Sequence, residues 1–159
     1  MTPDQEKQFN TYGCVSRSII KATEIRNVPI SKVDFIARYS HLFPKDQCGL
    51  LAIDGFCEVV KDLGLAKRVN STVDISYIID CVNRKMISHI FMLSERSLPN
   101  LDVPNNHCRL VIAHGLNPTR TQDALIYFCP LADGSDNNEE WIPCSALSEL
   151  MVHFLVLIQ

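Results

Sequence analysis

No apolar run in this sequence reaches the roughly 18 residues needed to cross a membrane. The longest, 150–158, is interrupted by His153 and reads as a core strand. Segment 1–7 is polar with no apolar stretch behind it, so no secretory leader is expected. No C-x-x-C pair occurs among the seven cysteines (Cys14, Cys48, Cys57, Cys81, Cys108, Cys129 and Cys144). That argues against a structural zinc site, and neither a metal nor another cofactor is expected. Seven is an odd number. Without a secretion signal, these cysteines read as reduced thiols in a cytoplasm. Gly-rich phosphate loops, G-x-S-x-G elbows and H-E-x-x-H motifs are missing. So are internal repeats and low-complexity segments. A basic excess is missing too: the net charge is −3, which weighs against a nucleic-acid partner.

What is present is globular. Apolar residues make up 47% and charged residues 21%, enough to exclude disorder. A length of 159 residues suits a single domain over 1–159 that buries its own core. The first half carries helical periods. A helix is expected over 14–25, with Val15, Ile19 and Ala22 on one face. Ser31 precedes a second, with Asp34 three residues on as a capping-box variant. A third is expected over 54–63, with Phe56, Val59, Val60 and Leu63 buried and Gly64 as its stop. A fourth, over 73–83, carries Ile75, Ile78, Ile79 and Val82. Strands are expected at 87–93, 107–113 and 124–129. A short helix over 146–151 follows Ser145, and 153–158 closes the sheet. The polar stretches 94–106 and 132–140 read as loops. Helices first and strands later predict an α+β fold with a mostly antiparallel sheet.

The segment Gln8-Phe-Asn-Thr-Tyr-Gly-Cys14 could carry chemistry. A cysteine in the first turn of a helix faces unpaired N–H groups and the positive end of the dipole. Both favour thiolate, the nucleophilic form. Gly13 lets the backbone turn and leaves the sulfur approachable. The Gln8 amide and the Cys14 backbone N–H would form an oxyanion hole. Buried structural cysteine is the competing reading.

A thiol nucleophile needs a base, and there are five histidines. His107 follows the polar turn 103–106 and opens an apolar strand, where a side chain can point from a sheet edge into a cleft. His89 and His153 lie inside apolar runs and read as structural. His114 precedes Gly115 in an expected turn and should be exposed. His41 falls at a helix end near Pro44.

Gln-x5-Cys at a helix start, followed far downstream by a histidine opening a strand, resembles the papain-like cysteine peptidase superfamily. The branch resembling bacteriocin-leader-processing domains is the nearest. The resemblance extends loosely from Gln8 to the last strand and implies a papain-like fold, with the helical half packed on the sheet. Cys14, His107 and Gln8 would be its catalytic residues. It also implies a protein or peptide substrate, an effector or toxin setting in which the domain is delivered into a target cell's cytoplasm, and an inhibitory partner. Two positions depart from the pattern. Cys14 is followed by Val15-Ser16 rather than Gly or Trp. The expected Asp-Pro after the third strand reads Cys129-Pro130. A Cys–His dyad, Asp133 or Asp123 reaching His107, or an inactive peptide-binding domain are the alternatives. Protein-glutamine deamidation uses the same groups. The acidic run 133–140 lacks EF-hand spacing and reads as a solvated loop. Lys67-Arg68 reads as a minor basic surface spot.

Overall fold

The computed structural model describes residues 1–65, 67–70, 75–84, 89–94, 107–116, 119, 123–128, 130, 133–135, 139–145 and 152–158. Its contacts divide the chain into two compact units, 1–65 with 129–138 and 66–128 with 139–159. The fold class is α+β.

The first unit is helical. Helix α1 spans Pro3–Tyr12, α2 Cys14–Ile25, α3 Lys32–Tyr39 and α4 Ile53–Asp62, with a 3-10 turn at Ser40–Leu42. Helix α1, which periodicity did not announce, begins at a reciprocal cap. Thr2 Oγ1 accepts from the Gln5 backbone N–H at 3.1 Å, and Gln5 Oε1 accepts from the Thr2 N–H at 2.9 Å. Pro3 at the first helical position and Asp4 and Glu6 in the first turn suit the positive pole. Ser31 caps α3 as the sequence predicts, accepting from the Asp34 N–H at 3.0 Å. In α4, Phe56, Val59 and Val60 are buried, while Leu63 falls just past the helix and is only half-buried. Helix α2 touches α1, α3 and α4. Among the fully buried residues of this unit are Phe9, Ile19, Phe35, Val59 and Val60. The Phe9 and Phe35 rings meet edge to face at 6.3 Å, and Phe35 meets Tyr39 at 4.8 Å.

The second unit is a six-stranded sheet in the order β1-β6-β2-β3-β4-β5, with every neighbouring pair antiparallel. Its strands are β1 (Lys67–Asn70), β2 (His89–Ser94), β3 (His107–Leu116), β4 (Asp123–Phe128), β5 (Glu139–Pro143) and β6 (Val152–Ile158). Helix α5 (Ile75–Arg84) lies against β3. The last strand does not close the sheet at an edge; β6 lies between β1 and β2. The apolar run 154–158 has the composition of an interior strand, and the charged sequences of β1 and β5 suit edges. Part of the expected 132–140 loop is strand β5, which pairs with β4. The helix expected over 146–151 and the turn 103–106 lie outside the described residues.

Strand β3 carries a bulge. Val111 lies opposite Tyr127 and Ala113 opposite Ile126, so Ile112 is the extra residue.

Candidate functional site

Helices α1 and α2 meet at one residue. Gly13 ends α1, donating its N–H to Phe9 O at 2.9 Å. It also begins α2, accepting from Arg17 N at 2.8 Å. Its φ of −90° is open to any residue. Glycine is required by contact instead: a Cβ there would collide with the Phe9 carbonyl oxygen. Cys14 is therefore the first residue of α2, half-buried, and a thiol rather than half of a disulfide.

A loop is clamped against this junction. Gln8 Oε1 accepts from the Cys48 backbone N–H at 3.0 Å, and Ser16 Oγ donates to Gly49 O at 2.6 Å. Gly49 has φ +92°, and its Cα hydrogens point where a Cβ would lie 2.6 Å from the Phe9 ring and 3.1 Å from Gly13 Cα. The other end of the Gln8 amide donates from Nε2 to Asp4 Oδ2 at 2.8 Å. Both contacts demand the same amide orientation, since an N–H must meet the oxygen and a carboxylate must meet the nitrogen. Gln8 thus carries a carboxamide of fixed orientation in α1, six residues before the thiol that opens α2.

Arg17, one turn beyond Cys14, is 3% exposed. Its guanidinium donates to Asn10 O at 3.3 Å and to Ser135 O at 2.9 Å. Residues 133–135 form a small turn in which Asp133 accepts from both the backbone N–H and the hydroxyl of Ser135. Those bonds chiefly, with a smaller contribution from Arg17, hold the exposed Asp133 carboxyl below its usual range. Ser18, four residues after Cys14, is fully buried, and its hydroxyl has no hydrogen-bond partner among the described residues. Neither Arg17 nor Ser18 was marked by the sequence. A cation on an apolar helix face is the signal that could have found Arg17.

His107 belongs to the sheet unit. It opens β3, as its place before an apolar run predicts, and lies opposite Ser94 of β2. Strand β4 runs toward that end of β3, with Phe128 opposite Leu110. Asp123 is at the other end, opposite Leu116. Leu116 and His107 are the two ends of this ten-residue strand, nine steps or roughly 25–30 Å apart, so Asp123 does not orient His107. Cys129 lies outside the described residues. His114 is not in an exposed turn: it is a β3 residue, half-buried, with Nδ1 3.2 Å from Asn83 Nδ2 on α5 and Nε2 buried without a partner among the described residues. The bulge at Ile112 shifts the alternation so that His114 and Val111 share a face. His41 lies in the 3-10 turn, exposed, 3.5 Å from Glu58. His89 and His153 fall in β2 and β6.

Two other described thiols are shifted upward from the ordinary range. Burial pushes the Cys48 thiol up. Burial and then the Asp123 charge push up Cys144. Among the described residues, no three His, Cys, Asp or Glu side chains gather to hold a metal ion, and no helix is long and apolar enough to cross a membrane. A groove of about 640 Å³ runs along α3 and α4. Within it Arg38 pairs with Asp62 at 2.8 Å, Tyr39 Oη donates to Asp62 at 2.7 Å, and His41 Nε2 lies 3.5 Å from Glu58. Searches against protein-family models and against curated proteins find no match for the chain.

Proposed function

We propose that the chain is a papain-like thiol hydrolase acting on a peptide or amide bond of a protein or peptide. Cys14 is its nucleophile, His107 its base and Gln8 its oxyanion donor. The observation that carries the reading is the α1–α2 junction. A half-buried thiol stands at the first residue of α2, behind a glycine that only glycine can replace, with a carboxamide of fixed orientation upstream.

In this mechanism the Cys14 proton passes to His107, and the sulfur adds to the acyl carbon. The Cys14 N–H and the second Nε2 hydrogen of Gln8 stabilise the oxyanion. The C–N bond then breaks as His107 returns the proton to the leaving amine. Water hydrolyses the thioester and restores the thiol. A glutamine side-chain amide fits the same steps, which makes protein deamidation the adjacent activity. The reading places the chain in a reducing cytoplasm, its own or that of a cell into which it is delivered, with a protein substrate, an inhibitory partner in the producing cell, and no nucleic-acid or membrane partner.

Iodoacetamide labelling near neutral pH tests it. As the proposed nucleophile, Cys14 should be alkylated first, and well ahead of Cys48 and Cys144, whose thiolates burial disfavours. Slow labelling spread evenly over several cysteines refutes the nucleophile. A second reading, an inactive domain that binds peptide, is favoured by Cys129 standing where the resemblance expects a carboxylate. It predicts that Cys14→Ala and His107→Ala each leave the biological effect intact.

A further inference from the structure

Two helices that meet end to end oppose their poles. At Gly13 the negative end of α1 and the positive end of α2 lie within one residue of each other. A helix start therefore does not by itself favour a thiolate at Cys14, because the last carbonyls of α1 offset the first N–H groups of α2. Helix α1 has no basic residue in its own last turn. The cation comes from α2 instead. The Arg17 guanidinium reaches back to the Asn10 carbonyl, in the last turn of α1, at 3.3 Å. Side chains on a helix lean toward its N-terminus, and residues three apart are neighbours, which puts Arg17 beside the Cys14 turn.

We infer that Arg17 is a positioning residue for Cys14: its buried guanidinium covers the negative pole of α1 and leaves the positive pole of α2 to stabilise the thiolate. Arg17 acts through the field at the sulfur and does not touch substrate. The position is otherwise costly, since a cation in the first turn of α2 opposes that helix's own dipole, and a buried charge needs compensation. Charged residues on the elements that meet at the junction include Asp4, Glu6 and Lys7 on α1, Lys45 and Asp46 on the loop that carries Cys48, Lys32 on α3 (3.5 Å from Asn10 Oδ1) and Asp133 beside Ser135. On α4, Glu58, Lys61 and Asp62 line the α3 groove and Asp54 is exposed in the first turn, and on α2 Lys21 pairs with Glu24. Asp133 is the anion whose ionisation feels Arg17.

The inference rests on the reading of Cys14 as a nucleophile, and one experiment separates the two. The rate of Cys14 alkylation by iodoacetamide, a neutral reagent, is followed against pH by mass spectrometry in the full chain. The variants are Arg17→Gln, which keeps amide donors and loses the charge, and Arg17→Lys, which keeps the charge. Arg17→Gln should raise the midpoint by roughly one pH unit, the effect of a unit charge roughly 7 Å away at an effective dielectric near ~30. Arg17→Lys should hold it close to wild type. A low wild-type midpoint that Arg17→Gln leaves unmoved, in a protein that still unfolds cooperatively, overturns the inference and spares the nucleophile. A wild-type midpoint no lower than that of an ordinary thiol overturns both. If Arg17→Gln does not fold, Thr11→Glu decides. It adds an anion to the same pole at an exposed site and should raise the midpoint by a few tenths of a unit; no shift there overturns the inference.

Discussion

Gln8 can be tested for two roles with two substitutions. Its Oε1 is the acceptor for the Cys48 N–H in a residue only 9% exposed, whereas its Nε2 serves an exposed Asp4. Gln8→Ala strands the Cys48 N–H. An unpaired buried donor costs about 1–3 kcal/mol, and the half-exposed position of Gln8 admits some water, so about 1.5 kcal/mol is expected. The exposed Asp4 bond adds little. Locally, that is a roughly tenfold faster exchange of the Cys48 amide hydrogen. Globally, it lowers the melting temperature by roughly 3–6 °C for a chain of this size. Gln8→Glu behaves differently. A carboxylate still accepts from the Cys48 N–H, and more strongly. Its repulsion of Asp4, four residues away on an exposed face, costs only about 0.2–0.5 kcal/mol. Cys48 protection should therefore be kept in Gln8→Glu and lost in Gln8→Ala, as read by amide exchange. The reasoning fails if both variants lose protection equally, or if neither does. Because Gln8→Glu also removes both Nε2 hydrogens, the proposed hydrolysis should fall by about 10²–10³-fold in a protein that remains folded.

Gly49→Ala should lower stability by about 2–4 kcal/mol, from a strained backbone and from overpacking against the Phe9 ring. Gly115→Ala, with nothing within 4 Å of the new Cβ, should be close to neutral, and thermal unfolding of the pair checks both. Tyr39→Phe removes the 2.7 Å bond to Asp62 and should cost about 1 kcal/mol. Burial, with the Asp62 bond, holds the Tyr39 phenol well above its ordinary range. Its contribution is therefore complete below about pH 10 and is lost as pH rises toward the folded value. Denaturant titrations between pH 8 and pH 11 should show an alkaline loss of stability that Tyr39→Phe lessens.

The sequence shows its local devices and hides the non-local ones. Ser31 with Asp34 and the Phe56-Val59-Val60 stripe were legible, because a cap and a helical period lie within one or two turns of chain. Helix α1 was not, because a ten-residue helix with one buried side chain, Phe9, shows no apolar period; its signal was the Thr2–Gln5 cap. Strand β5 reads as an acidic loop because its strand state comes from pairing with β4. The interior place of β6 and the bulge at Ile112 are facts of strand order and register, which no window of sequence contains.

At Cys14 the same division decides the chemistry. The step from Gly13 into a helix was legible and correct, and it led to a dipole argument that counted one helix. The structure has two, joined with their poles opposed, so the favourable field at the sulfur is a difference rather than a sum. The sign of that difference depends on a cation brought onto the α1 pole from the next turn of α2. The same guanidinium also holds Ser135, more than a hundred residues away. The group that sets the thiol's ionisation is thereby tied to the segment following β4, where the resemblance expects the orienting residue of the histidine. If that segment loosens, as Ser135→Pro would make it do, Arg17 loses its bond to the Ser135 carbonyl. The Cys14 midpoint should then rise in the same direction as in Arg17→Gln, by less, and without any change in the residues that flank the thiol.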